Sequence, residues 1–262
     1  RNNRVPPNGR QRLVLSEDAL VRSLERAGLN APVRFEEVTA STQATALEMA
    51  AAGTPEWTLV AAGHQTQGRG RLGRTWLDET GRALMFSFVL RPELDPGSGG
   101  LLTLLAGTAL ASASSELADQ RTACTWPNDL LVAGRKAGGI LAESRVDGGR
   151  FEHVVIGIGV NLRTPPSGIP GAGAVEVEDD ELLDAFLSAF VRGYQPAHPA
   201  FAGGVVAAYR DVCATLGARV RATIPGAVVE GEAVDVDERG GLVVRTPTGE
   251  QVVRFGEVER LE

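Results

Sequence analysis

Cysteine is scarce in this sequence, and lysine is scarcer. Cys124 and Cys213 are the only cysteines, too few for a disulfide framework and without metal-ligand spacing. They fit a reducing, cytoplasmic setting. His64, His153 and His198 are scattered without pair spacing, which argues against a structural metal. No stretch approaches the ~18 uninterrupted apolar residues of a membrane span, and no secretory signal pattern opens the chain. Excess positive charge is also missing. The net charge is −7, so the chain as a whole is not an electrostatic nucleic-acid binder. Among its 26 basic residues only Lys136 is a lysine. A compact ammonium on a flexible stem does what a planar guanidinium cannot, so Lys136 is a candidate site residue; its survival by chance is the plain alternative.

The 262 residues, 43% of them hydrophobic, suffice for one large core with a smaller unit attached. The densest chemistry lies in Gly68-Arg-Gly-Arg-Leu-Gly-Arg74, followed by Thr75-Trp76, just after the apolar run Leu59–Ala62. Glycines let backbone approach a ligand, and arginines supply planar forks for carboxylate or phosphate oxygens. Gly68-x-Gly70-x-x-Gly73 spells the dinucleotide fingerprint, but that reading needs a helix behind it. Alternating Leu84, Phe86, Phe88 and Leu90 predict a strand there instead. A loop that wraps an anion and a merely solvated charged loop both remain open on this stretch alone.

Residues 1–12 are polar and rich in breakers and read as a disordered arm. Ser16 caps a helix that stops at Gly28. Val33–Val38 and Trp57–Ala62 read as strands, and Ser41-Thr42 open a helix running to Gly53, with Ser41 as its N-cap. Residues 101–120 form a buried Ala/Leu helix. The knuckle Thr125-Trp-Pro-Asn-Asp129 precedes a hairpin with Lys136 at its turn, then a second hairpin through Asp147-Gly148-Gly149. The apolar strand Val154–Asn161 follows, with glycines that suggest close backbone approach. Residues 163–175 read as a flexible surface loop, and helices follow at about 179–193 and 199–214. From Gly217, short strands separated by turn residues predict a small barrel. The expected fold is therefore α+β, a mixed but largely antiparallel sheet flanked by helices, in units of 13–214 and 215–262.

Carboxylate activation by ATP would use these parts. Arginines and a lysine neutralise two anions, Asp129 holds Mg²⁺, and Trp76 walls an adenine. Core packing is the alternative for Trp76 and Trp126. Four ordered motifs carry a resemblance: Gly68–Trp76, Trp126-Pro-Asn-Asp129, Arg135-Lys-x-Gly138-Gly-Ile-Leu-x-Glu143 and Gly157-x-Gly-Val-Asn161. Together with Ser41-Thr42-Gln43, the chain from about residue 35 onward resembles the biotin protein ligase family. The resemblance implies a class II synthetase-like catalytic domain and a C-terminal SH3-like barrel. Some members of that family carry an N-terminal DNA-binding domain and act as repressors; one short helix before the core leaves no room for a helix-turn-helix, so the free-standing form is expected.

By that resemblance, biotin and MgATP form biotinoyl-5′-AMP, and a lysine of a biotin carboxyl carrier domain of a biotin-dependent carboxylase then accepts the biotin. Ser41, Thr42, Gln43, Gln65, Gly68, Arg69, Arg71, Lys136 and Gly138 are implied to contact biotin. Arg71, Arg74, Trp76, Asn128, Lys136 and Asn161 are implied to contact the nucleotide. Lys136, Arg69 and Asp129 carry the chemistry, with Asp129 serving Mg²⁺ or the transfer step. Neither DNA nor membrane is an expected partner, and a monomer or weak homodimer is expected. Two positions depart from the family pattern: Thr125 stands where lysine is usual, and Gln43 where asparagine is usual. A lipoate ligase, or a nucleic-acid module using the arginine loop and the barrel, are the competing readings.

Overall fold

The computed structural model describes residues 15–261; the arm expected over 1–12 lies outside them. Helix α1 (Glu17–Arg26) begins at Ser16, whose Oγ accepts the Ala19 N–H at 3.3 Å. Glu17 and Asp18 in its first turn complement the positive end of the helix. Seven strands make the main sheet: β1 (Val33–Glu36), β2 (Leu59–Ala62), β3 (Ala83–Leu90), β4 (Thr122–Thr125), β5 (Asp129–Val132), β6 (Arg135–Asp147) and β7 (Arg150–Asn161). Their order is β1-β2-β3-β7-β6-β5-β4. Only the β1–β2 pair is parallel.

The two-residue period of the strands separates the faces of this sheet. On β3, Leu84, Phe86, Phe88 and Leu90 enter the main core, where Phe86 and Phe88 meet Phe186 and Phe190 of α4 (Asp179–Gly193). Ile156, Ile158 and Val160 of β7 join the same core. Helix α3 (Gly100–Leu117) and helix α5 (Phe201–Val212) complete it, with α1 against α4. Helix α3 is apolar and long enough to cross a membrane by composition alone, but Leu101, Leu102, Leu104 and Leu110 are buried in this core. The opposite face carries Val60, Val89 and Val155 under α2 (Thr42–Ala51). The rest of that face carries the cleft described below.

Five more strands, β8 (Arg219–Ile224), β9 (Ala227–Val236), β10 (Leu242–Thr246), β11 (Gly249–Val253) and β12 (Glu257–Arg260), form an antiparallel sheet ordered β11-β10-β9-β8-β12. Together the two sheets give the α+β class expected. Trp126 joins them: its indole N–H donates to the Gly240 carbonyl at 2.9 Å, and its backbone N–H donates to Thr215 Oγ1 at 2.9 Å.

Three local expectations are corrected. The strand expected from Trp57 begins at Leu59, because Trp57 sits at φ 70° and stacks among Phe88, Phe190 and Tyr194. Lys136 lies within β6, and the turn is Ala133-Gly134, both at positive φ. The 163–175 segment is tied down: Lys136 exchanges backbone hydrogen bonds with Gly171 and Gly173, and Ala174 and Val175 are buried.

Arg91 pins the end of α2 to the sheet. Its guanidinium donates to the carbonyls of Ala50, Thr54 and Glu152 over 2.7–3.1 Å. Removing it strands three carbonyls, so Arg91→Ala is expected to lower the unfolding free energy by about 3 kcal/mol. Urea denaturation checks this; a loss below about 1 kcal/mol would show that the staple acts as an ordinary surface arginine.

Candidate functional site

The open part of the α2 face is a cleft of about 280 Å³. Its floor exists because residues that alternate with the core are small. Gly157 and Gly159 alternate with Ile156, Ile158 and Val160, and register sets Gly159 between Met85 and Gly139, and Gly157 between Ser87 and Leu141. A Cβ on Gly159 would lie 2.6 Å from the Trp76 indole, and one on Gly157 would strike the Gln43 amide oxygen. The glycines are therefore the space in which Trp76 and Gln43 lie.

One end of the cleft is uncharged. Ser41, Thr42, Gln43 and Ser87 line it and are all buried, with Gln65 beside them. Ser41 occupies the N-cap position of α2, but its side chain makes no cap bond. Its buried Oγ has no partner; the expected cap is a pocket hydroxyl instead.

The other end is cationic. Arg69, Arg71, Arg74 and Lys136 all line the cleft, and each is held by an acceptor from another element. Arg69 pairs with Glu143 of β6 at 2.8 Å, and Arg74 with Glu257 of β12 at 2.6 Å. Lys136 pairs with Asp129 of β5 at 2.7 Å. Arg71 donates to Asn128 Oδ1 at 3.2 Å and to the Gly256 carbonyl at 3.1 Å. Burial draws the Arg71 guanidinium below the ordinary arginine value, while the carboxylates of Asp129 and Glu257 oppose that drift. Arginine is not deprotonated in proteins, so Arg71 is a desolvated cation aimed at the cleft. Asn128 is itself fixed by donating to the Ile140 carbonyl at 2.9 Å.

Most residues singled out from the sequence thus meet in one cleft, and three do not line it. Gly138 faces the core against Leu130 and Val160, and the cleft glycine is its neighbour Gly139. Gly68 shapes the loop, where a Cβ would strike the Trp76 carbonyl. Asn161 is buried and donates to the Gly173 carbonyl at 3.0 Å, supporting the segment that holds the Lys136 backbone. Unforeseen cleft residues are Ser87, Gly139, Gly157, Gly159 and Glu257. The strict alternation of glycine with Ile or Val in β7 was the readable signal for Gly157 and Gly159. Among the described residues no group of His, Cys, Asp or Glu forms a metal cage. Burial pushes the Cys124 thiol up to about 12, so it is inert.

A neutral hydrogen-bonding end beside a cationic end, on the bare face of a largely antiparallel sheet, is the geometry of a small-molecule cleft suited to a polar head and an anionic tail. Residues 35–161 match the model of the biotin/lipoate A/B protein ligase family, and residues 215–261 match the biotin protein ligase C-terminal domain. The bifunctional ligase/repressor BirA of Bacillus subtilis is 30% identical over 264 residues, covering 95% of this chain and 81% of that protein. The biotin–[acetyl-CoA-carboxylase] ligase of Paracoccus denitrificans is 33% identical over 234 residues, covering 84% of this chain and 97% of that protein. In fold, the chain is similar to the biotin protein ligase of Aquifex aeolicus in complex with biotin and ATP, at TM-score 0.70, 24% identity and coverage of 88% and 99%. The chain belongs to the biotin protein ligase family.

If the indole rests on Gly159, Gly159→Ala lifts it. Hydrogen exchange at the amides of residues 68–76 is expected to accelerate in that variant while the core strands keep their protection. Unchanged exchange would show that Trp76 is placed by something else.

Proposed function

We propose that this protein activates biotin with MgATP to biotinoyl-5′-AMP and transfers biotin to a lysine of a biotin carboxyl carrier domain. The observation that carries the reading is the convergence of Arg69, Arg71, Arg74 and Lys136 on the cleft whose other end is neutral and polar. The names of the relatives, a biotin–[acetyl-CoA-carboxylase] ligase among them, point to the same chemistry. Residues 13–214 form the catalytic unit and 215–262 the SH3-like unit, which lends Glu257 to the site.

The reaction must bring a carboxylate against a triphosphate, and charge repulsion is the barrier to remove. Ser41, Thr42 and Gln65 hold the ureido head, and Arg69 with Lys136 draws the carboxylate toward the nucleotide. Trp76 offers an adenine a flat apolar wall, and Arg71, Arg74 and Asn128 face its phosphates. A carboxylate oxygen attacks the α-phosphorus and pyrophosphate leaves. Negative charge grows on the oxygens between Arg71 and Lys136, where fixed cations in a partly dry cleft lower the barrier. Asp129, a lone carboxylate on the cleft, would be the protein group to hold Mg²⁺, which would supply further neutralisation of the phosphate charge and takes few protein ligands in nucleotide sites. In the second step the free amine of the acceptor lysine attacks the carbonyl carbon. The amide forms, AMP leaves with the oxygen it gained, and the amine proton passes to solvent.

Thr125, in place of the usual lysine, removes one positive charge beside the site but leaves Lys136. A net charge of −7, with four cations on the cleft, weighs against an electrostatic nucleic-acid binder; a cytoplasmic enzyme, monomeric or weakly dimeric, remains the reading. The lipoate reading is weaker, because the neutral end offers buried polar groups that a dithiolane would leave unpaired.

Lys136→Ala is expected to reduce biotin-dependent ATP–pyrophosphate exchange by on the order of 10²–10³-fold while thermal unfolding stays cooperative. Undiminished exchange would refute the role of Lys136, and exchange driven by lipoate but not biotin would overturn the substrate.

A further inference from the structure

Glu143 ends the motif that begins at Arg135, and the activation step leaves it no role beyond its bond to Arg69. On β6 it follows Gly139 and Leu141 at the two-residue period, and both of those line the cleft. Register sets it opposite Val155, which lies under α2. Its side chain therefore stands on the cleft face of the sheet. One oxygen, Oε1, accepts from Arg69 Nη2 at 2.8 Å. The other, Oε2, is buried and has no hydrogen-bond partner. A buried acceptor without a donor is costly and uncommon. Glu143 also lines a second, open hollow of about 610 Å³ beneath the arginine loop. The two hollows share Arg69 and Leu141, so they adjoin. Arg69, Arg71 and Arg74 line the second hollow too, and among the described residues lining it Glu143 is the one carboxylate. A cation entering there is repelled by three guanidinium groups and attracted at a single place.

We propose that Glu143 is a catalytic residue of the transfer step: it receives the ammonium of the acceptor lysine through this hollow and takes its proton. This rests on the biotin reading above and extends it from activation to the handling of the nucleophile. In the structure Arg69 covers Oε1. Once Arg69 turns to the carboxylate that becomes the mixed anhydride, both Glu143 oxygens face the hollow. The ammonium is thus received only after the adenylate exists. Beside the cations of the cleft an ammonium holds its proton less tightly than in water. Glu143 accepts that proton and passes it to solvent through the open hollow. The freed nitrogen lone pair attacks the carbonyl carbon and the C–N bond forms. The C–O bond to phosphate breaks, AMP leaves with that oxygen, and the second N–H proton passes to solvent.

The test separates the two half-reactions in the whole chain. Glu143→Gln keeps an oxygen for Arg69 but loses the charge and the basicity. The weaker hold on Arg69 is expected to lower biotin-dependent ATP–pyrophosphate exchange a few-fold. Transfer from the preformed adenylate to a carrier domain is expected to fall on the order of 10²-fold. Hydroxylamine, uncharged at neutral pH, needs no proton removed before it attacks. Its capture of the same adenylate as the hydroxamate should therefore slow no more than exchange does. Glu143→Asp, which keeps a carboxylate, should transfer faster than Glu143→Gln. Exchange and transfer falling by the same factor would make Glu143 only a holder for Arg69 and would overturn the proposal. Hydroxylamine capture slowed as much as transfer would place the effect on the adenylate and would overturn it too, as would transfer at the parent's rate. Failure of the parent to exchange would sink the biotin reading itself, and the role of Glu143 with it.

Discussion

Four cations share one cleft in this protein, and concentrated positive charge at a half-dry surface is itself destabilising. The structure answers that constraint by giving each cation an acceptor on a different element: Glu143 on β6, Asp129 on β5, Glu257 on β12, and Asn128 with the Gly256 carbonyl for Arg71. These pairs are half-exposed and individually weak. That weakness suits the function proposed, because phosphate and carboxylate oxygens can take over the same guanidinium and ammonium groups without a large penalty.

The sheet makes this arrangement possible by dividing its labour at every second residue. One face is an Ile, Leu and Phe core under four helices; the other is glycine at Gly139, Gly157 and Gly159, where the cleft floor lies. Packing thus supplies the stability and bare backbone the depth, so Trp76 and Gln43 can lie flat against the strands. The last strand of the smaller sheet reaches the rim, so the two parts of the chain meet at the arginines.

Residue types that have few uses were legible in the sequence. The arginine–glycine loop, the lone Lys136 and the Trp126-to-Asp129 knuckle could be read as chemistry, and the turn residues after Gly217 marked out the small sheet. What could not be read locally were partners distant in the chain. Nothing near Arg74 points to Glu257, and nothing near Lys136 points to the 171–173 backbone that flanks it. A glycine pair such as Gly138-Gly139 does not say which member faces the cleft; the alternation Gly138, Ile140 against Gly139, Leu141 does. Ser87, a lone hydroxyl within Leu84–Leu90, was a signal of the same kind, since a buried polar group in an apolar strand must have a partner.

The central claim is that a carboxylate oxygen of the substrate attacks the α-phosphorus inside this cleft. It is tested most directly with biotin carrying ¹⁸O in both carboxyl oxygens, incubated with MgATP and a carrier domain, followed by mass analysis of the nucleotide product. The account predicts AMP bearing one ¹⁸O, with the other retained in the new amide. Unlabelled AMP, or ADP as the product, would contradict it.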